Sequence, residues 1–362
     1  MAELPVLTGL LSAGDVAATA ESIARMQEAD GAIPWTPGQH VDTWNHVEAA
    51  MGLLVGGQVA AAERAYDWCL AGQRPDGSWP MKVLGGVVDD AGTDTNMTAY
   101  LAVGVWHHWL VRRDVRFVRR TWPAVCRALD LVVGLQLPFG GIAWARDAKG
   151  RVADDALLAG SASVFQALSA GVALAELVDD PQPDWELAAG RLGHALCRHR
   201  DRFADKATFS MDWYYPVLGG AVRGRDAELL IDARWADFVV PNLGVRCLDT
   251  NPWVTGAETC ELVMALDAMG RRDTAMRLLR DMQHLRADDG GYWTGYVYAD
   301  DAVWPRERTT YTAAAVILAV DALAGTTPGS DLFRGATRPT DFAEIGLECG
   351  CTNDSSALFR LN

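Results

Sequence analysis

The chain has 362 residues, half of them hydrophobic and 22% charged, and its 47 acidic against 32 basic side chains leave a net charge of −15. That charge repels nucleic acid and anionic lipid surfaces, and no apolar stretch free of charge or glycine reaches the roughly 18 residues of a membrane span. Neither nucleic acid nor a membrane is therefore an expected partner, and the stretch from Met1 to Asp15, with no basic region and no long apolar core, makes the cytoplasm the expected location.

Taken in chain order, helical periodicity predicts outer helices near 15–28, 58–72, 114–135, 183–204, 225–236 and 272–285. Each is followed by an inner one, near 43–56, 94–111, 158–179, 212–221, 256–270 and 308–325. The third outer segment has one apolar stripe, Val118, Trp122, Val125, Leu129 and Val132, with Arg116, Arg119, Arg120 and Arg127 between; this describes a helix with one wet face. The inner segment before it, Thr95 to Leu110, is apolar nearly all round and reads as buried on every side.

The loops from outer to inner helices repeat. Gln27 leads to Trp35, Gln73 to Trp79, Gln136 to Trp144 and Gln283 to Trp293, each across one or more glycines. The glutamine is expected to bond loop backbone, the glycine to permit a positive φ, and the tryptophan to pack the loop on its neighbour. Six such hairpins in sequence predict an all-α fold, an (α/α)6 toroid over residues 1–325, with a tail from 326 to 362 read as a cap on the ring, a contact segment or a disordered end. Because every long loop enters the N-terminus of an inner helix, all six lie at one end and wall a cleft whose floor is six helix starts.

That floor is acidic: Asp42, Asp94, Asp154, Asp155, Asp212, Glu258 and Glu307, most with aromatic neighbours. Carboxylates with Trp and Tyr suit a neutral sugar, which stacks on aromatic faces and is cleaved by acid/base pairs. Singly, each carboxylate is more often a cap: Asp42 is placed as an N-cap, and Thr255 with Glu258 has the spacing of a capping box. As a set converging on one floor they are expected to include a catalytic pair. His46 in the first turn of an inner helix reads equally as a substrate contact or a bystander, and His107 and His108 read as core. Of the seven cysteines, five lie singly in apolar runs and read as reduced core residues. Cys349 and Cys351 alone are closely spaced, so no metal and no cofactor is expected.

The Gln-x-Gly-x-Trp repeats resemble those of the squalene cyclase and prenyltransferase superfamily. The chain lacks that superfamily's chemistry: it has no Asp-x-Cys of a prenyltransferase zinc site, and Asp89-Asp90 and Asp94-Thr95-Asn96 stand where an Asp-x-Asp-Asp would be needed. The segments Val41-Asp42-Thr43-Trp44-Asn45-His46-Val47-Glu48, Phe209-Ser210-Met211-Asp212-Trp213-Tyr214-Tyr215-Pro216 and Pro252-Trp253-Val254-Thr255-Gly256-Ala257-Glu258-Thr259 resemble the actinobacterial methylmannose polysaccharide hydrolases among the (α/α)6 glycoside hydrolases, over about residues 15–325. The resemblance implies endo-cleavage of an α-1,4-linked, O-methylated mannan by two carboxylates, at positions matching Asp42 and Glu258. On that basis an inverting reaction is expected, with Glu258 as base and Asp42 as acid, the helix dipole favouring a carboxylate. Expected subsite residues are Trp44, Asn45, His46, Trp79, Lys82, Asp94, Asp212, Tyr214, Trp253, Glu261, Trp293 and Trp304, and the expected partner is an oligo- or polysaccharide. An α-1,4-glucan hydrolase, a toroid that binds a polymer without cutting it, and a terpene-cyclase or prenyltransferase-like enzyme stay open as alternatives, as does the oligomeric state.

Overall fold

The computed structural model describes residues 3–339, 341 and 342. The helices are α1 (Ala13–Met26), α2 (Thr43–Val55), α3 (Val59–Gly72), α4 (Thr95–Arg112), α5 (Val115–Val133), α6 (Leu158–Val178), α7 (Pro183–Arg198), α8 (Ser210–Leu218), α9 (Gly224–Ala233), α10 (Trp235–Phe238), α11 (Gly256–Ala268), α12 (Arg272–Asp281) and α13 (Thr310–Ala324). The inner helices α2, α4, α6, α8, α11 and α13 pack side by side in that order, and α13 returns to α2, closing the ring. The outer helices α1, α3, α5, α7, α9 and α12 lie against it. The expected toroid is therefore the observed one.

Hydrophobic pattern assigns each helix to its layer. In α5 the stripe Val118, Trp122, Val125, Leu129 and Val132 is buried while Arg116, Arg119, Arg120 and Arg127 face water, as an amphipathic outer helix requires. By length and composition α6 could cross a membrane, but 83% of its most apolar stretch is buried inside the ring.

The repeated loops hold neighbouring outer helices together through one device used three times. Gln27 Nε2 donates to Gly31 O at 3.0 Å and to Ala61 O of α3 at 2.9 Å. Gln73 Nε2 donates to Gly77 O at 3.0 Å and Ala124 O of α5 at 2.8 Å; Gln136 Nε2 donates to Gly140 O at 2.9 Å and Ala188 O of α7 at 3.0 Å. Each side chain thus bonds its own loop and the next outer helix at once. Replacing Gln73 by Ala removes both bonds and is expected to destabilise the chain by about 1–3 kcal/mol, read as a lower urea midpoint at unchanged slope; an unchanged midpoint would show the clamp to be ornamental.

The fourth copy is aligned differently from the sequence reading. The bond Glu28 N→Ala32 O recurs as Arg74 N→Ser78 O, Leu137 N→Gly141 O and Ala287 N→Gly291 O. Arg286, not Gln283, therefore occupies the glutamine position, and its Nη2 reaches Asp15 Oδ1 of α1 at 2.7 Å. The same register places Trp79 with the buried Ile33, Ile142 and Tyr292, not with the cleft-side Trp35 and Trp144.

At the loop end the ring is stitched. The amide opening one inner helix bonds the loop before another: Thr95 N→Trp144 O, Ser210 N→Cys247 O, Gly256 N→Thr294 O and Thr310 N→Trp35 O. Val41, before α2, exchanges both backbone bonds with Val83, and Ala159 N of α6 donates to Asp212 Oδ1 at 3.0 Å. Strands absent from the sequence reading form here, the largest group being a five-stranded antiparallel sheet from residues 239–240, 244–246, 253–255, 295–297 and 302–303. Runs of two or three residues are too short to carry a period-two pattern.

The opposite end is covered by the start of the tail. Arg223 Nη2 donates to Phe333 O at 2.8 Å, Arg338 Nη2 to Gly219 O at 3.3 Å and Arg334 Nη2 to Ala322 O at 2.6 Å. These cations sit where inner helices end and carbonyls lack partners, the favourable end of the helix dipole. Residues 343–362, with Cys349 and Cys351, lie outside the described residues.

Candidate active site

Asp42 is the N-cap of α2 and is 3% exposed. Its Oδ1 accepts from Asn45 N at 2.9 Å, its Oδ2 accepts from Asn45 Nδ2 at 2.5 Å, and His40 Nε2 stands 3.6 Å from Oδ2. Cap and side-chain amide together fix the carboxyl toward the loop end. Between Asp42 and Asn45, Trp44 reaches into the lumen, with ring centroids 5.9 Å from Tyr100, 6.0 Å from Tyr215 and 6.0 Å from Tyr311.

Glu258 lies in the first turn of α11, separated from α2 on the ring by α13 alone. The capping box suggested by its spacing does not form: Thr255 makes no side-chain cap bond, and its buried Oγ1 has no partner. Glu258 is half-buried and is approached by Cys247, whose thiol is pushed up by burial first and by Glu258 second. Glu258 therefore takes no part in capping α11.

A cavity of about 260 Å³ opens beside Trp44, between the starts of α4, α6 and α8. Its lining is largely apolar, including Met97, Ile142, Trp144, Leu157, Phe209 and Met211, with Asp94 and Asp212 among the polar groups. Asp42 and Glu258 do not line it. Asp94 caps α4 through Met97 N at 2.9 Å, and burial pushes its carboxyl up to about 6. Asp212 is likewise pushed up to about 6 by burial, against the lowering effect of the Ala159 amide.

A pH dependence follows from Asp212. A carboxyl whose folded value is raised from 3.8 to about 6 contributes stability that is complete below the unfolded value and lost as pH rises through 6. Asp212→Asn keeps an oxygen for Ala159 and carries no charge, so its stability relative to wild type is expected to rise between pH 4 and pH 7 by on the order of 2 kcal/mol. Thermal melts across that range check it, and parallel curves would contradict it.

The remaining expected residues divide by burial. Trp253 and Trp304 meet at the mouth, with ring centroids 5.1 Å apart and Trp253 Nε1 donating to Trp304 O at 2.8 Å. Lys82 is exposed on a hairpin of residues 82–84 and 87–90, tied to the backbone beside Asp42 through Val83. Trp293 packs under the Arg308 guanidinium, 5.4 Å from its centroid.

Four expected contacts are corrected. His46 is fully buried: Ile33 N donates to its Nδ1 at 3.0 Å and its Nε2 meets Ala65 O at 2.8 Å, so it fastens the first loop to α3. Burial lowers it to about 4 and keeps it neutral. Trp79 is 2% exposed and spends its N–H on Cys69 O at 2.9 Å. Tyr214 and Glu261 are 0% and 1% exposed and bonded to one another, beneath the cleft and not on its wall. Sequence reasoning missed Glu48, Tyr100, Tyr215 and Tyr311, which complete that buried layer. A signal existed for the first: Glu48 is the one acidic residue in the otherwise apolar run of α2.

Comparison with solved structures places the fold. A wild-type glycosidase covers 87% of this chain and 98% of its own at a TM-score of 0.69 and 17% identity. A D-mannose isomerase covers 85% and 96% at 0.67 and 10%, and an α-amylase from Clostridium perfringens covers 87% and 99% at 0.63 and 9%. These identities support a likeness of fold alone. No family model matches the chain. Among curated proteins, the MMP endo-(1,4)-3-O-methyl-α-D-mannosidase of Mycolicibacterium hassiacum is 52% identical over 348 residues, 96% of each chain.

The molecule is thus a glycoside hydrolase of α-mannosidase type built on a helical toroid. Its near-full-length likeness to the curated relative makes it a member of the MMP endo-(1,4)-3-O-methyl-α-D-mannosidase family.

Proposed function

We propose that the protein cleaves internal α-1,4 bonds of a 3-O-methylated mannan with inversion, using Asp42 and Glu258. The observation that carries this reading is the release of Glu258 from any capping role, at the same end of the ring as a fixed Asp42. The relative's substrate supplies the sugar class, and the apolar cavity beside Trp44 suits methyl ethers, which need dry space next to hydroxyl-bonding groups.

Roles follow from the local bonding. Both carboxyls sit at helix starts, so the dipole does not distinguish them. Both oxygens of Asp42 are already acceptors of Asn45 hydrogen bonds, which suits the carboxylate that activates water. Glu258 then protonates the leaving oxygen, the reverse of the assignment drawn from the dipole alone. In an inverting reaction water attacks the face opposite the leaving group, so the first product of an α-linked substrate is the β-anomer. Proton NMR of fresh hydrolysate of a 3-O-methyl-α-1,4-mannooligosaccharide tests the whole reading: β-anomer appearing first supports it. Initial α-anomer sinks inversion, and no new reducing ends would sink the activity.

The cavity makes a separate prediction. A Cβ at Gly160, on its wall, meets nothing nearer than Leu157 Cβ at 3.6 Å and Asn96 Cβ at 3.7 Å. Gly160→Leu is therefore expected to fold and to raise KM for the methylated oligosaccharide by about 10-fold or more, with a smaller rise for the unmethylated one. Equal rises would remove the methyl groups from this cavity.

A further inference from the structure

Beneath the proposed catalytic pair, five of the six inner helices send polar groups into one buried cluster. Glu261, one turn after Glu258 on α11, receives Tyr215 Oη at 2.7 Å and Tyr311 Oη at 2.5 Å on Oε1, and Tyr214 Oη on Oε2. Glu48 of α2 is 2% exposed; its Oε2 accepts from Tyr100 Oη at 3.3 Å, and its Oε1 has no partner. The groups facing Glu261 are Glu258 and Cys260 on its own helix, the three tyrosines of α8 and α13, Tyr100 of α4, Glu48 of α2 and Cys247. Neither carboxyl has an ion pair to Lys, Arg or His among the described residues. Two carboxyls in one buried cluster do not both ionise. Three hydroxyl donors favour the charge on Glu261, and an oxygen without a donor favours the proton on Glu48.

We infer that Glu261 is an electrostatic positioning residue: a fixed anion under the cleft floor that stabilises positive charge at the sugar without touching it, with Glu48 as its protonated, neutral companion. The transition state of glycosidic cleavage is oxocarbenium-like, and a preorganised opposite charge in a dry site acts strongly on charge that develops only there. The inference rests on the proposed cleavage reaction for its catalytic meaning. Its charge assignment does not.

The test pairs two isosteric variants with two readouts. Glu261→Gln is expected to lower kcat by about 10²–10³-fold with KM little changed, whereas Glu48→Gln, an amide for a neutral acid, stays within a few-fold of wild type. Burial raises the Glu261 carboxyl above the usual range, so wild-type kcat is expected to fall as pH drops and the charge is lost. That acidic limb disappears in Glu261→Gln. The second readout needs no catalysis: calorimetric binding of a protonated manno-configured iminosugar is expected to weaken at least 10-fold in Glu261→Gln and not in Glu48→Gln, with binding of neutral methyl α-mannoside unchanged. If wild type does not cleave but the iminosugar pattern holds, the cleavage reading fails and the charge assignment stands. Equal losses in both variants, or equal losses for charged and neutral ligands, overturn the inference. Should Glu261→Gln not fold, Tyr311→Phe removes one donor and is expected to move the acidic limb to higher pH; an unmoved limb counts against the role.

Discussion

Glu258→Gln and Asp42→Asn are each expected to lower kcat on a methylated mannooligosaccharide by about 10²–10⁴-fold, the range for loss of a positioned acid or base. Neither change alters side-chain volume. Glu258 holds no cap, so its variant is expected to melt like wild type. Asp42→Asn exchanges an acceptor for a donor beside Asn45 Nδ2, which stands 2.5 Å away, and is expected to cost some stability as well. The two variants also separate the roles. If Glu258 is the acid, Glu258→Gln recovers most of its rate on a substrate with a nitrophenolate-type leaving group, which departs without a proton. If Asp42 is the base, replacing it with Gly recovers rate on addition of azide, a small nucleophile able to take the place of the activated water. Recovery in the opposite pairing would restore the dipole-based roles, and wild-type kcat in either Gln or Asn variant would remove that residue from the chemistry. Asp94→Asn and Asp212→Asn are the controls, because these two line the neighbouring cavity and could be mistaken for the pair.

The largest expected effect on stability comes from a glycine. Gly77 has φ +92°, and a Cβ built there falls 2.1 Å from Arg127 O and 2.5 Å from Arg127 C of α5. Backbone, not a flexible side chain, is in the way. Gly77→Ala therefore combines a left-handed conformation, about 1–2 kcal/mol for an L-residue, with overpacking of typically 1–3 kcal/mol. The same approach recurs at Gly31 against Arg64 O (2.4 Å) and Gly140 against Arg191 O (2.5 Å), so each is expected to behave alike. Gly150, with φ +84° and nothing within 4 Å, isolates the conformational part, and Gly150→Ala is expected to cost less. Urea unfolding of Gly77→Ala and Gly150→Ala decides the matter; equal losses would mean that the close approach to α5 contributes nothing.

Much of the ring was legible because its helices differ in how many sides are wet. Arg116, Arg119, Arg120 and Arg127 mark α5 as outer, and the stretch from Thr95 to Leu110, apolar nearly all round, marks α4 as inner, without any tertiary knowledge. The glutamine clamps were legible for a related reason: a side chain that must bond two carbonyls and a glycine that must admit a backbone leave a local signature. The fourth clamp was misread because Arg286 does the work of glutamine through a different partner, Asp15, distant in sequence. At the site, Asp42 was visible as a cap, but nothing local separates a capping Glu258 from an idle one. That distinction depends on where the Thr255 hydroxyl points. His46 was misjudged because its position in a first turn says nothing of Ile33 and Ala65 closing over both ring nitrogens. The tyrosine layer escaped notice because Tyr100, Tyr214, Tyr215 and Tyr311 come from three helices and meet only once the ring closes.

The arginines that cover the far end of the ring bear on how a polymer is handled. Among the described residues, Arg338, Arg334 and Arg223 tie the tail's start across the helix C-termini and the buried tyrosine layer occupies the lumen above them, so the barrel is a cup and not a tunnel. A chain laid on a cup has no end to feed through, so in the proposed reaction it is met broadside at whichever unit settles over Asp42 and Glu258. Both fragments depart by the opening through which their parent arrived.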